Sequence, residues 1–158
     1  MTESKLRRII REELDETHDH AISKMLDMDP WTFDQSKEEG YQSLPTLDLQ
    51  IDALRAYIEG PLPSKSGEHG DKNIIIWHLG QALAIRGGPG DKAQAVEVME
   101  RCDETDDDQW NNYVDATIAF LEDNRTAFEE HAKGENYNSE TLERLRSGWG
   151  KSYSQAYN

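Results

Sequence analysis

Cysteine is almost absent from this sequence, since Cys102 is the only one in 158 residues. A single thiol excludes an internal disulfide and is typical of a reducing compartment. Long apolar runs are absent too, and none approaches the ~20 residues that a membrane-spanning helix requires. Charges interrupt every apolar pair of "MTESKLRRIIREEL", so we expect no secretory signal, no membrane association and a cytoplasmic protein.

Positive charge is also scarce, because 17 lysines and arginines stand against 32 aspartates and glutamates, a formal net charge of −15. Such a field repels phosphate backbones, so we expect no direct binding to nucleic acid. The same acidity fits solubility, a halophilic host or a decoy that mimics DNA, and the sequence does not separate these. Apolar residues make up 35 % and charged residues 31 %, which is typical of an elongated helical protein of one domain.

The periodicity of apolar residues predicts an all-α fold, because helical spacing recurs along the chain and no alternating strand pattern is found. Residues 1–30 are predicted to form an amphipathic N-terminal helix, and 31–60 a connecting segment with a flanking helix that ends at Gly60. Residues 61–72 are rich in Pro, Gly and Ser and are predicted to be a loop. Residues 73–149 are predicted to form a helical domain, and 150–158 a polar tail.

The stretch "AIRGGPGDKAQA" at 84–95 contains three glycines and a lysine, and it could be mistaken for a phosphate-binding loop. A Walker-type loop needs a preceding strand, a glycine before its lysine and a serine or threonine after it. Here Asp91 precedes Lys92, Ala93 follows it, and the preceding segment reads as a helix. We therefore interpret the stretch as a turn between two helices, with Asp91 as the N-cap of the second.

A 34-residue offset aligns Ile76 with Trp110, Leu79 with Tyr113, and Ala93 with Ala127. The stretches "WHLGQAL" and "GDKAQAVEVMERC" resemble the two helices of a tetratricopeptide (TPR) repeat, and the resemblance covers about residues 73–134. In such a repeat a small residue, here Gly80, lets the partner helix approach. The resemblance implies TPR-like helical hairpins in a short right-handed superhelix. The segment from Ser139 to Trp149 would then form a C-terminal capping helix.

In a TPR-like fold, the first helix of each hairpin lines a concave surface that binds a protein partner. The resemblance implies that the partner-binding positions are Ile74, Trp77, Gln81, Asn111, Asp115 and Ile118. A structural role for Trp77 in the core is the alternative, because tryptophan is often buried. The lysine and arginine pattern with which chaperone-binding repeats hold a C-terminal carboxylate is absent, which favours a basic or apolar peptide or helix as the ligand. The chain is thus expected to be a protein–protein interaction adaptor or assembly protein.

The N-terminal stretch "SKLRRIIREEL" resembles a short leader that begins many otherwise unrelated proteins of marine tailed phages. This resemblance implies an alternative function as a structural or internal virion component. Four basic residues in this stretch, on an acidic chain, suggest docking on an acidic surface or self-association into a homo-oligomer. The predicted docking residues are Lys5, Arg7, Arg8 and Arg11.

Several patterns that could carry chemistry lack the residues that the chemistry needs. Around His18 and His20 no second Glu-x-x-His motif completes a di-iron site. If the acidic run at 103–108 began an EF-hand loop at Asp103, the twelfth position, which requires glutamate, would be Val114. Cys102 lies on the apolar side of a predicted helix with no apparent base. We therefore expect no enzyme activity, no metal and no cofactor.

Overall fold

The computed structural model describes residues 3–60, 72–102, 105–134 and 136–158. Within these ranges the chain is helical and contains no strand, which confirms the predicted all-α class. The chain divides into two compact units, Met1–Lys72 and Asn73–Asn158. The helices are α1 (Glu3–Met25), α2 (Pro30–Gln35), α3 (Leu47–Glu59), α4 (Lys72–Arg86), α5 (Asp91–Met99), α6 (Asp108–Leu121), α7 (Arg125–His131), α8 (Ser139–Ser147) and α9 (Tyr153–Tyr157).

The first unit is built around an aromatic cluster beneath α3. Phe33 of α2 is fully buried and stacks on Tyr57 of α3, with ring centroids 3.9 Å apart. The Tyr57 hydroxyl donates a hydrogen bond to the carbonyl oxygen of Met28 at 2.8 Å. These contacts hold the segment after α1 against α3, and Met25, at the end of α1, is 5 % exposed. The predicted loop at 61–72 lies outside the described residues except for Lys72, which begins α4.

The second unit begins with α4 and α5, which run in opposite directions along each other. Near the start of α4, the Cys102 thiol donates to the carbonyl oxygen of Asn73 at 3.4 Å. In the middle, a Cβ on Gly80 would lie 2.6 Å from Cγ of Met99, so the absence of a side chain at this position permits the close approach. Gly80 therefore has the packing role that the sequence suggested for it.

The glycine-rich stretch forms a turn between α4 and α5, as predicted, but Asp91 does not cap α5. The N-cap is Gly90, whose φ of 81° lies in the left-handed region that glycine adopts without strain. The Asp91 carboxylate instead accepts hydrogen bonds at 2.8 Å from Nε and Nη2 of Arg86 and from the backbone N–H of Gly88. The Asp91 side chain is nearly buried. Its three hydrogen bonds form a clamp that holds the turn between α4 and α5.

The next pair of helices is α6 and α7. An aspartate from the acidic run caps α6: the Asp107 carboxylate accepts from the N–H groups of Gln109 and Trp110. Helix α7 runs back along α6, because Phe120 packs against Phe128 with centroids 6.4 Å apart, while Asp115 pairs with His131 at the other end.

The C-terminal region differs from its prediction. Helix α8 ends at Ser147 rather than at Trp149, and residues 150–158 are not a polar tail, since they contain α9. A capping box between Ser152 and Gln155 begins α9. Tyr153 and Ala156 of α9 are only 3 % and 6 % exposed. Burial of these two side chains orders a segment whose composition is otherwise polar.

In the part of the chain that the structure describes, no helix is both long and apolar enough to cross a membrane.

Candidate functional site

Trp77 occupies the centre of an aromatic cluster in the second unit. Its ring lies 5.5 Å from that of Trp110 and 5.0 Å from that of Tyr113, centroid to centroid. Trp77 is 3 % exposed, and the Trp110 indole N–H donates to the carbonyl oxygen of Cys102 at 3.0 Å. Trp77 therefore joins α4 to α6 from inside the unit and offers almost no surface to a partner.

Gln81 lies one turn further along α4 and contacts α9. Its side-chain amide donates to the Tyr153 hydroxyl at 3.2 Å. Burial, the largest effect, raises the pKa of Tyr153, so this phenol remains a neutral hydrogen-bonding group. The part of α4 predicted to face a partner is thus covered at Gln81 by a helix of the same unit, while Ile74, near the start of α4, is half-buried.

The predicted positions on α6 have different surroundings from those on α4. The Asn111 side chain accepts from the N–H and hydroxyl of Thr105 and donates to its carbonyl oxygen, so it fixes the segment before α6. The Asp115 carboxylate lies 3.6 Å from Nδ1 of His131, a contact that is ionic when the imidazole is protonated. Ile118 is half-buried.

The predicted docking residues lie on α1, and those whose side chains the structure describes are open to solvent. Lys5 and Arg8 are exposed, and Arg8 forms an i,i+4 ion pair with Glu12 at 3.5 Å. The side chains of Arg7 and Arg11 lie outside the described part of the structure, although their backbone is in α1.

Two large apolar side chains of α1 are exposed on the same half. Ile10 is 47 % and Leu14 is 52 % exposed, and their i,i+4 spacing places them on one face of the helix. From Glu12 to Thr17 every residue is exposed. The periodicity of the sequence predicted an amphipathic helix, but it did not indicate which half of its apolar face would remain uncovered.

An open cleft of about 510 Å³, which the sequence did not predict, lies between α5 and the end of α6. Its lining combines apolar side chains from both helices with one lysine and one glutamate. A smaller cleft of about 190 Å³ adjoins it and shares Lys92. The residues that line the larger cleft are Gly90, Lys92, Ala93, Val96, Leu121 and Glu122. No local motif joins them, because they come from two helices and a turn.

Among the described residues, no group of three or more His, Cys, Asp or Glu side chains is placed to hold a metal ion. Cys102 is fully buried, and its thiol contacts backbone carbonyl oxygens.

Comparison of the chain with protein-family models, curated proteins and solved structures found no match in any of the three. The function is therefore inferred from the residues and their geometry alone.

Proposed function

We propose that this protein is a non-enzymatic interaction adaptor that docks on a partner protein through the first half of α1. The observation that carries the proposal is the exposure of Ile10 and Leu14, on one face of a helix whose far end is anchored in the first unit. Exposed apolar surface is unfavourable in water, and a continuous uncovered apolar face on a helix is a common sign of an interaction site.

The second unit is, in this proposal, a pair of TPR-like hairpins that serves as a rigid framework. Three features support the resemblance: the opposed directions of α4 and α5, their close approach at Gly80, and the contact of Trp77 with the next first helix. The α4 and α6 positions named from the repeat are less suited to a partner than α1 is. Trp77 is buried, and Gln81 and Asn111 already bond within the unit.

The face of α1 indicates which partner surface would fit. Lys5 and Arg8 lie on the side of the helix away from Ile10 and Leu14, and Arg8 pairs with Glu12. A partner groove that is apolar where it meets Ile10 and Leu14 would fit this face, with the charges of α1 left in solvent. Docking of a helix in such a groove uses side chains at i and i+4 as anchors, which here are Ile10 and Leu14.

The test is a quantitative pull-down from an extract of the source cells, with the tagged full-length chain and mass spectrometry. Ile10→Gln with Leu14→Gln keeps the helix propensity high while it removes the apolar face. Trp31→Gln is the matched control, because Trp31 is 57 % exposed and lies outside α1. We expect a protein to be retained by the wild type and the control and lost from the α1 variant, with equal helicity in circular dichroism. Retention of the same proteins by all three chains would refute the docking role of α1.

A further inference from the structure

Helix α9 covers a surface that other parts of the second unit form. Tyr153 enters this surface: its ring lies 6.3 Å from that of Phe120 in α6, and its hydroxyl accepts a hydrogen bond from the Gln81 amide of α4 at 3.2 Å. Ala156 packs so closely against Gly148 that a Cβ on the glycine would lie 2.6 Å from the alanine Cβ. Gln81, Phe120 and Gly148 therefore form a socket, the α9 socket, that accepts one tyrosine and one small residue. At i and i+3, these two residues lie on the same face of a helix.

Few contacts hold α9 in this socket. Tyr153 and Ala156 are its only buried side chains, and a helix of five residues is not stable in water without packing. A second hydrogen bond, from Arg144 to the carbonyl oxygen of Tyr157, is exposed and 3.5 Å long. Gly150 joins α8 to α9 with a φ of 86°, and among the described residues beyond its chain neighbours no atom lies within 4 Å of a Cβ placed there. Because elements with so few buried contacts open in local events, we expect α9 to leave the socket while the helices beneath it stay folded.

We propose that the α9 socket is an interaction site for a partner protein and that α9 blocks it in the free chain. The partner segment is a short helix with a tyrosine and, three positions later, an alanine or glycine, because α9 itself has the chemistry that fits. The tyrosine ring packs against Phe120, its hydroxyl meets the Gln81 amide, and a larger second residue would collide with Gly148. Since α9 is on the same chain, its effective concentration at the socket is on the order of millimolar, so the partner binds in the fraction of molecules in which α9 is open. Gln81, a partner-binding position of the predicted repeat, is accessible in that fraction.

The probe for this site is a synthetic peptide of residues 150–158 with a fluorescent label at its N-terminus. Its anisotropy is measured against rising concentrations of the full-length chain, up to about 1 mM. The Tyr153→Ala chain holds its own α9 less firmly, so we expect it to bind the peptide at least about tenfold more tightly than the wild type does. The same peptide with Tyr153→Ala should bind at least about tenfold more weakly than the unchanged peptide. Lys151→Gln, at an exposed position before α9, is the matched control on the chain and should bind the peptide as weakly as the wild type.

Two further variants separate opening of α9 from binding in the socket. Ser152→Ala removes the side chain that caps α9 at an exposed position, so it opens α9 without changing the socket or the core. Its affinity for the peptide should lie between those of the wild type and Tyr153→Ala. Gln81→Leu in the Tyr153→Ala chain removes the donor to the peptide's phenol hydroxyl and should weaken binding by about threefold or more. Urea unfolding followed by tryptophan fluorescence checks that the second unit remains folded in each chain.

The proposal is overturned if the Tyr153→Ala and Ser152→Ala chains bind the peptide no more tightly than the wild type does. Equal binding of the peptides with and without the tyrosine, or an affinity that Gln81→Leu leaves unchanged, would overturn it as well. The docking role of α1 has a separate outcome in the pull-down, because Ile10 and Leu14 are unchanged in all of these chains.

Discussion

Gly148 gives the sharpest prediction about stability, because this residue, directly after α8, packs closely against α9. A Cβ at this position would lie 2.6 Å from Cβ and 2.8 Å from Cα of Ala156, whereas ordinary contacts are 3.4–4 Å. Its own φ of −92° is open to any residue, so Gly148→Ala introduces no backbone strain. The substitution therefore tests packing alone, and it forces the backbone of α9 to move by about 1 Å.

The expected magnitude follows from two opposed effects. Overpacking of this kind costs roughly 1–3 kcal/mol, while replacing glycine with alanine restricts the unfolded chain and returns about 0.4–1 kcal/mol. We expect Gly148→Ala to lower the free energy of unfolding by about 1–2 kcal/mol. The displacement should also weaken the hydrogen bond between Gln81 and Tyr153, which is the contact of α9 with α4.

The assay is urea unfolding followed by tryptophan fluorescence, since Trp77, Trp110 and Trp149 all report on the second unit. A double-mutant cycle with Ala156→Gly isolates the contact. The double variant loses the Cβ–Cβ overlap but keeps the short distance from the Cβ introduced at position 148 to the Cα of residue 156, so we expect it to recover only part of the lost stability. A Gly148→Ala protein as stable as the wild type, or a cycle without coupling, would refute the close packing of α9.

Two further predictions concern single side chains. Asp91→Ala should lower the free energy of unfolding of the second unit by roughly 2 kcal/mol, because Arg86 and the N–H of Gly88 lose their acceptor. Urea unfolding measures this, and an unchanged midpoint would contradict the clamp. Burial and the charge of Asp29 raise the pKa of Tyr57 to about 12, so the folded chain keeps this proton above pH 10 while the unfolded chain loses it. Stability of the first unit should therefore fall between pH 10 and pH 12, by up to roughly 2–3 kcal/mol from this group, and Tyr57→Phe should remove that part of the pH dependence. Identical pH profiles for the two chains would contradict the assignment.

Much of the local structure could be read from the sequence. The cap of α6 at Asp107, the end of α3 before Gly60 and the turn between α4 and α5 depend on residues within a few positions of each other. Their side-chain and backbone preferences act locally, so they hold in almost any tertiary context. The role of Asp91 was misassigned because an N-cap and a clamp to Arg86 require the same residue type at nearly the same place.

The C-terminal helix could not be read in this way. Five residues with a polar composition give no apolar period, and α9 is ordered by Tyr153 and Ala156 only because Gln81 and Gly148 are brought to them. Tertiary packing also gives the predicted partner-binding positions different surroundings. Spacing places Gln81 and Asp115 on equivalent turns of two helices, but packing directs one to Tyr153 and the other to His131.

The sequence by itself therefore determined the helical class, the amphipathic character of α1 and the acidic charge, which follow from composition and spacing. Only the tertiary structure decided that Trp77 is buried, that Ile10 and Leu14 are exposed, and that Ala93 and Leu121 line one cleft. Periodicity indicates which face of a helix is apolar. Whether that face is covered depends on residues distant in sequence, whose approach is set by packing.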